Sequence, residues 1–372
     1  MPGPLTGIRV IELAGIGPAP FAGMMLADHG AEVIRVERPG AVPGPVALDR
    51  SRRSVAVDLK SPEGVQVVRD LCRTADALIE GFRAGVLERL GLGPDVLLGD
   101  NPKLVYGRMT GWGQTGPLAQ APGHDIDYIA IAGLLDGIGT PGEAPAVPVN
   151  YIGDFGGGAM MLCFGVLAAL LHVRGGGEGQ VVDAAMTDGA SVLGSMTWAF
   201  RASGMWRDGP GANLLTGAAP FYATYACADG KALAVGAIEP QFYAALLRGL
   251  DLAHDPLFAR QMDASQWPAM KARLAEVFAT RPRDAWAFEA DACVAPVLTL
   301  DEAAAHPHNV ARGTFIDVGG KRSPAPAPRY SGTIPEAPRP PVAVGSDTHA
   351  VLRDIGYDDT RITTLRTSGA VR

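Results

Sequence analysis

The sequence predicts an α/β protein with two domains. Between residues 8 and 109, short apolar runs alternate with longer amphipathic stretches, which is the pattern of successive βαβ units. Farther along the chain, Asp229-Gly230 separates two apolar runs and predicts a β-hairpin. The 372 residues suffice for a large core and for a second, smaller domain.

The first domain is predicted to hold a parallel sheet, because helices join its strands. Strands are predicted at 8–13, 31–36, 77–80, 104–109 and 180–184, and helices at 21–29, 62–74, 155–174 and 189–202. The second of these helices has a strong start signal, with Ser61 as its N-cap and Pro62 at its first position. The third ends at Gly175-Gly176-Gly177, since glycine favours helix termination. Together these elements indicate a Rossmann-like large domain.

The domain limits are predicted from changes in composition along the chain. The large domain spans residues 1–187 and is completed by residues 330–372. A linker at 188–220 leads to a smaller α/β domain at 221–306, which contains the hairpin and helices at 240–250 and 267–279. A second linker covers 307–329, and a helix at 349–355 returns to the large domain.

Composition excludes several classes of function. Hydrophobic residues make up 47% of the chain, which argues against disorder, and the net charge of −7 argues against a nucleic-acid partner. The four cysteines are far apart, so we expect no metal site and a reduced, cytoplasmic protein. Residues 155–173 are uncharged and long enough to span a bilayer. Internal glycines and His172 favour a buried core helix there, so no membrane association is expected.

The turn after the first strand imitates a dinucleotide-binding fingerprint without completing it. Gly15 and Gly17 match its first two glycines, and Glu37 ends the second strand. Pro20 stands at the third glycine position, and Pro18 and Pro20 lack N–H groups that a pyrophosphate needs. A nicotinamide or flavin cofactor is therefore disfavoured, and we interpret the turn as structural.

Basic residues recur at predicted strand ends, at Arg38, Lys60, Arg83 and Arg89. In a parallel sheet those ends share one edge, where open α/β sheets bind ligands. Such a cluster would hold an anionic phosphate group despite the negative total charge. The alternative is that each residue is a solvated surface charge.

His124 and Asp154 are the candidate acid/base pair. Both protonation states of an imidazole are accessible near neutral pH, because its ordinary pKa is about 6.5. Asp154 is predicted to be the N-cap of the long apolar helix, where the helix end favours the anion and the N–H groups of residues 154–156 can hold a developing negative charge. Removal of a proton beside a carbonyl needs such groups. The alternatives are a turn histidine and a simple N-cap.

Several separated motifs resemble the family III CoA-transferases, also called the CaiB/BaiF family. They are residues 4–13 (PLTGIRVIEL), 30–39 (GAEVIRVERP), 58–60 (DLK), 108–114 (RMTGWGQ) and 179–186 (GQVVDAAM). Within that family, residues 123–128 (GHDIDY) and 237–243 (AIEPQFY) resemble the α-methylacyl-CoA racemase branch. The resemblance covers nearly the whole chain.

The resemblance implies a fold and an activity. Two chains, each with a Rossmann-like large domain and a small α/β domain, would be threaded through each other as an interlocked homodimer. The substrate would be a 2-methyl-branched acyl-CoA of lipid and fatty-acid metabolism, and no cofactor would be needed. The (2R) and (2S) epimers would be interconverted by proton transfer through an enolate.

The resemblance also implies site residues. His124 and Asp154 would transfer the protons, with Asn150 and Glu239 as supporting groups, and Glu239 would set the tautomer of His124. Without the resemblance, Glu239 before Pro240 is an ordinary helix-start charge. The residues implied to bind the CoA ester are Arg38, Asp58, Leu59, Lys60, Gly81, Phe82, Arg83, Arg89, Gly123, Asp125 and Tyr128.

The strongest alternative is a true CoA-transferase on the same fold. There, Asp154 would attack the thioester and form a mixed anhydride with the acyl group. His124 has no obvious place in that route, and the glycine-rich lid of family transferases is not visible at residues 235–243. We therefore favour the racemase.

Overall fold

The computed structural model describes residues 3–42 and 46–372. The chain folds into two compact units. Unit 1 comprises Met1–Gly133, Val149–Gly194 and Ala311–Arg372, and unit 2 comprises Leu134–Pro148 and Ser195–Val310. The domain limits drawn from the sequence stay a prediction.

Strands and helices alternate along much of the described chain. In chain order, the strands are β1 Arg9–Leu13, β2 Glu32–Glu37, β3 Arg53–Ala56, β4 Ala77–Glu80, β5 Val105–Thr110, β6 Val181–Ala185, β7 Tyr222–Ala226, β8 Ala232–Gly236, β9 Val294–Pro296, β10 Phe315–Val318 and β11 Lys321–Pro324. The α-helices are α1 Pro18–Asp28, α2 Val46–Asp49, α3 Pro62–Arg73, α4 Val86–Arg89, α5 Pro94–Asp100, α6 Asp125–Ile131, α7 Met160–Arg174, α8 Met186–Leu193, α9 Ser195–Ala202, α10 Pro240–Gly249, α11 Trp267–Phe278, α12 Leu300–Ala305, α13 Pro307–Arg312, α14 Thr348–Asp354 and α15 Asp359–Thr367. A π-helix covers Tyr151–Ala159, and short 3-10 turns lie at Leu135–Gly137, Leu214–Thr216, Pro256–Phe258, Arg283–Ala285 and Ala290–Ala292.

Unit 1 is built on a parallel sheet with the strand order β3-β2-β1-β4-β5-β6. Ile11 in β1 lies opposite Ile34 in β2 and Leu78 in β4. Side chains alternate between the two faces of a strand. Ile11 therefore packs into one core cluster with residues of α3, α14 and α15, and Val10 packs into the other with residues of α1 and α7. The predicted Rossmann-like fold is confirmed.

The strand order reverses between β1 and β4. The connections leave these neighbouring strands in opposite directions, so their carboxyl ends border a crevice, which is where open α/β sheets place ligands. The loop after β1 begins at Ala14, and the loop after β4 begins at Gly81. The crevice between the carboxyl ends of β1 and β4 is therefore the expected position of a ligand site.

Most sequence-based elements are confirmed within three residues of their predicted ends. β3 escaped prediction, because it is four residues long and starts with an arginine. The helix predicted at 189–202 is two helices, α8 and α9, because Gly194 caps the first of them.

The long apolar helix begins earlier than predicted. The π-helix runs directly into α7, so the helical stretch is Tyr151–Arg174. In the described part of the chain it is the one stretch apolar and long enough to cross a bilayer, and 44% of its most apolar window is buried. A core helix of a soluble protein meets the same criterion, so one such stretch is weak evidence for a membrane span.

Unit 2 contains a three-stranded antiparallel sheet in the order β7-β8-β9. The predicted hairpin around Asp229-Gly230 is confirmed, since β7 and β8 pair antiparallel on either side of it. Phe221 and Phe278 are fully buried in the core of this unit, which α10 and α11 help to enclose.

Residues 343–372 return to the edge of the unit 1 sheet. The backbone N–H of Ser54 in β3 donates to the carboxylate of Asp347, 293 positions later. Val371 then bridges to Val57, and the N–H of Asp58 donates to the carbonyl of Ala370. The loop after β3 is therefore held by residues from the far end of unit 1.

Candidate active site

A cavity of about 340 Å³ lies in unit 1 at the carboxyl ends of the sheet strands. Gly17 comes from the loop after β1, Arg83 from the loop after β4 and Trp112 from the loop after β5. His124 and Asp154 also line this cavity. The structure thus brings the two candidate proton-transfer residues to one cavity at the reversal point of the strand order.

His124 occupies the N-cap position of α6 with extended backbone angles. Its backbone N–H donates to the carboxylate of Asp127 over 2.9 Å, which fixes the backbone at this point. The imidazole is exposed and lines the cavity, where a substrate can reach it.

Tyr128 holds the loop that carries His124. Its hydroxyl donates to the carbonyl of Gly123, and its ring packs edge-on against Trp112 with centroids 4.8 Å apart. A Cβ on Gly111 would lie 2.1 Å from this ring, so only glycine fits there. Burial raises the pKa of Tyr128 to about 12, with the negative charge of Asp154 adding to the effect. The phenol therefore stays protonated and keeps its hydrogen bond.

Asp154 is not the N-cap of the apolar helix, as the sequence had suggested. Asn150 occupies that position, and Asp154 lies in the first turn of the π-helix. The Nδ2 of Asn150 donates to Oδ2 of Asp154 over 2.8 Å, and the Asp154 N–H donates to Oδ1 of Asp125 over 2.7 Å. The prediction that this N–H is free to hold a developing negative charge is therefore wrong.

The environment of Asp154 raises the pKa of its carboxyl group. Burial raises the pKa of Asp154 above its ordinary value, and the charge of Asp125 adds to this shift. The hydrogen bond from Asn150 and the charge of His124 act in the opposite direction without cancelling it. The sequence predicts that the helix end favours the anion and that desolvation opposes it; in the structure, burial is the larger effect and the net shift of the pKa is upward. A carboxyl group that exchanges its proton readily is better suited to acid/base work.

Two glycines allow close contacts within the π-helical stretch around Asp154. A Cβ on Gly153 would lie 2.7 Å from Oδ1 of Asp125, and a Cβ on Gly157 would lie 2.6 Å from the backbone nitrogen of Ala190 in α8. Both contacts need a residue without a side chain. Short π-helical segments occur often at functional sites, because they displace one residue from the regular helical register.

The predicted site residues fall into three groups. Those that line the cavity with His124 and Asp154 are Gly81, Phe82, Arg83, Gly123 and Tyr128. Asn150 and Asp125 contact Asp154 directly. The other described residues lie outside this cavity: Arg38 follows β2, Asp58, Leu59 and Lys60 follow β3, Arg89 ends α4, and Glu239 is the N-cap of α10 in unit 2. The roles assigned to all these residues stay predictions.

Sequence reasoning missed several residues of the cavity. Those are Ile16, Gly17, Pro18, Ala19, Met109, Thr110, Gly111, Trp112, Ala119, Ala121, Pro122 and Met186. The turn interpreted as structural borders Asp154, since a Cβ on Gly17 would lie 3.6 Å from its Oδ2. Gly17 has a φ of 73°, which favours glycine. The position of Gly17 just after the central strand β1 could have predicted that it lies at the site, because open α/β sheets bind ligands at such strand ends.

The described residues contain no group of three or more His, Cys, Asp or Glu side chains arranged to hold a metal ion. The titratable side chains in the cavity wall are the imidazole of His124, the carboxyl group of Asp154, the guanidinium of Arg83 and the phenol of Tyr128. These groups can move a proton and attract an anion.

Comparisons with known proteins agree with this chemistry. Residues 5–348 match the model of CoA-transferase family III. The chain is 48% identical to the α-methylacyl-CoA racemase of Mus musculus, over 99% of this chain and 97% of that protein. It is 45% identical to the α-methylacyl-CoA racemase of Homo sapiens, over 95% and 94% of the two chains. A solved structure of a CaiB/BaiF family protein from Brucella suis superimposes with a TM-score of 0.82 at 27% identity, covering 95% of this chain and all of that one (100%).

Proposed function

The chain belongs to CoA-transferase family III, and on that premise we propose that it is an α-methylacyl-CoA racemase. It interconverts the (2R) and (2S) epimers of 2-methylacyl-CoA thioesters. The observation that carries this proposal is the presence of His124 and Asp154 in the wall of one cavity. Asp154 alone would serve a transferase equally well, whereas the imidazole beside it suits a two-base proton transfer.

The reaction needs two groups on opposite faces of the carbon next to the thioester. One group removes the 2-proton as a base, and the electron pair moves into the carbonyl to form an enolate. The second group, already protonated, returns a proton to the other face. His124 and Asp154 exchange these roles when the opposite epimer is bound. Because burial raises the pKa of Asp154, its acid form is more accessible than that of an exposed aspartate.

The sheet edge offers charge for the CoA part of the substrate. Arg83 lines the cavity, and Arg38, Lys60 and Arg89 are exposed in the loops and the helix end of the same unit. Guanidinium and ammonium groups pair well with phosphates. The acyl chain would lie against Met109 and Met186 in the cavity wall, where methionine adapts to chains of different shape.

Solvent exchange tests the proposed activity. With (2R)-2-methylacyl-CoA in heavy water, we expect both epimers to form and both to carry deuterium at the 2-position, because the proton comes from enzyme groups that equilibrate with solvent. Chiral chromatography with mass spectrometry measures this. Absence of deuterium, together with acyl transfer to an added free acid, would show a CoA-transferase instead.

We also propose that the protein works as an interlocked homodimer in the cytoplasm. Support comes from the apolar surface of α7, where Phe164 is 73% exposed and Leu171 is 72% exposed in the single chain. Large apolar surfaces of this kind favour burial against a partner. Multi-angle light scattering is expected to give twice the mass of one chain at micromolar concentration. A stable, active monomer would contradict the dimer without affecting the racemase assignment.

A further inference from the structure

We infer that Asp125 is a positioning residue that fixes the spacing between the two proton-transfer groups. This inference rests on the proposed racemase function. Asp125 directly follows His124 in the chain, and its carboxylate accepts the backbone N–H of Asp154 over 2.7 Å. One peptide bond and one hydrogen bond therefore connect the residue that carries the imidazole to the residue that carries the carboxyl group.

Further hydrogen bonds hold both ends of this linkage, one end at α6 and the other at the π-helix. On the side of α6, the His124 backbone is held by Asp127, so the linkage starts from a fixed point. On the side of the π-helix, Asn150 holds the Asp154 side chain while Asp125 holds its backbone. The peptide and the carboxyl group of Asp154 are thus fixed separately, which leaves little freedom for the acid/base pair to drift apart.

Burial and close packing show that the contact is specific. Asp125 is only 7% exposed. Gly153 lies so close that a Cβ there would be 2.7 Å from Oδ1 of Asp125 and 3.2 Å from its carbonyl oxygen. Glycine at 153 is therefore required for the carboxylate of Asp125 to reach the N–H of the next residue.

The charge of Asp125 has a second effect, because it disfavours the anion of Asp154. The charge of His124, in the same loop, lowers the pKa of Asp154 and so opposes the effect of Asp125. The charges of Asp125 and Asp154 also raise the pKa of Tyr128 in α6. The other elements packed on the π-helix carry Asp28 at the distant end of α1, Arg108 in β5, Asp183 in β6, Asp188 in α8 and His172 and Arg174 at the distant end of α7. The upward shift in the pKa of Asp154 does not come from these groups.

Three variants separate the two effects. Asp125→Ala removes the acceptor and the charge, and we expect kcat to fall by roughly 10²-fold with KM nearly unchanged, since a displacement of about 1 Å in a reacting group has that effect. Gly153→Ala keeps the charge but forces the carboxylate away, and it is expected to lower kcat in the same way. Asp125→Asn keeps an acceptor oxygen, so most of kcat is expected to remain.

The pH profile of Asp125→Asn is the readout that a merely structural residue would not change. Loss of the neighbouring charge lowers the pKa of Asp154. For the epimer that Asp154 deprotonates, the acidic limb of kcat/KM therefore moves to lower pH. For the other epimer, in which Asp154 must carry the proton, the basic limb moves to lower pH. Asp95→Ala, in the first turn of α5 and exposed, is the matched control and leaves both profiles unchanged.

Two results would overturn the inference: wild-type kcat in Asp125→Ala, or unshifted limbs in Asp125→Asn. If Asp125→Ala does not fold, the profile of Asp125→Asn still decides. Failure of the proposed function is recognised separately, because the unmodified protein would then exchange no 2-proton at all.

Discussion

Replacing His124 with alanine is expected to lower kcat for epimerisation by about 10²- to 10⁴-fold in both directions, which is the usual contribution of a general acid or base. The loss affects both directions because the imidazole is the base for one epimer and the acid for the other. Asp154→Asn is expected to have the same effect, since an amide neither accepts nor returns the proton. The epimer ratio over time, followed by chiral chromatography, measures the loss.

Binding of the CoA ester separates a chemical defect from a folding defect. The imidazole of His124 is exposed and belongs to none of the hydrophobic core clusters, so its removal should leave the fold intact, and CoA-ester binding, measured by calorimetry, should survive. His308→Ala, which alters an exposed histidine of unit 2, is the control and should retain full activity. Full activity in His124→Ala would remove this residue from the mechanism. Hydroxylamine trapping of an acyl group on Asp154 would point to the transferase.

Gly189→Ala is expected to reduce both stability and activity. A Cβ on Gly189 would lie 1.7 Å from the carbonyl oxygen of Gly157, which is backbone and cannot rotate away. Helix α8 and the π-helix must therefore separate. Overpacking of this kind costs about 1–3 kcal/mol in the free energy of unfolding. Because the π-helix carries Asp154, a shift of about 1 Å would also lower kcat by roughly 10²-fold. Thermal unfolding and the epimerisation assay measure the two effects.

Gly99→Ala is the matched control for this substitution. Gly99 lies in α5, is exposed, and has no atom within 4 Å of an added Cβ. Alanine is favoured over glycine inside a helix by about 0.5–1 kcal/mol, so this variant should be slightly more stable than the unmodified protein. Equal effects of the two substitutions would show that the contact between α8 and the π-helix is not tight.

The parallel sheet could be predicted because its signals are local. Apolar runs such as that of β4, and a start signal such as Ser61-Pro62, depend only on neighbouring residues. The π-helix could not be predicted in this way. Its register depends on the close approach of Gly157 to α8, which no pattern within residues 150–160 reveals. For this reason the sequence-based prediction placed Asp154 at the helix N-cap and did not include the upward shift of its pKa in the folded protein.

The sequence predicted the acid/base residues of the candidate site but only some of the residues that line its cavity. His124 and Asp154 were predicted from their residue types and their placement in the sequence, with support from motif resemblance, and both line the cavity. The role of Asp125 toward Asp154 could not be predicted, because the contact joins residues 29 positions apart. Arg38 and Lys60, which were predicted to bind the CoA ester, follow β2 and β3, the two strands on one side of β1, and their role stays a prediction. Strand order, which the sequence does not state, decides which loops are neighbours.

The return of residues 343–372 to β3 has a consequence for how the protein is made. Ser54 and Asp347 meet across 293 positions, and unit 2 lies between them in the chain. During synthesis, the edge strand β3 is made long before residues 343–372, so its contacts with them cannot form until the chain is nearly complete. Contacts between such distant residues form slowly, because the closing loop is long. We expect newly made chains to pass through a stage in which this edge is uncovered and sensitive to proteases and chaperones.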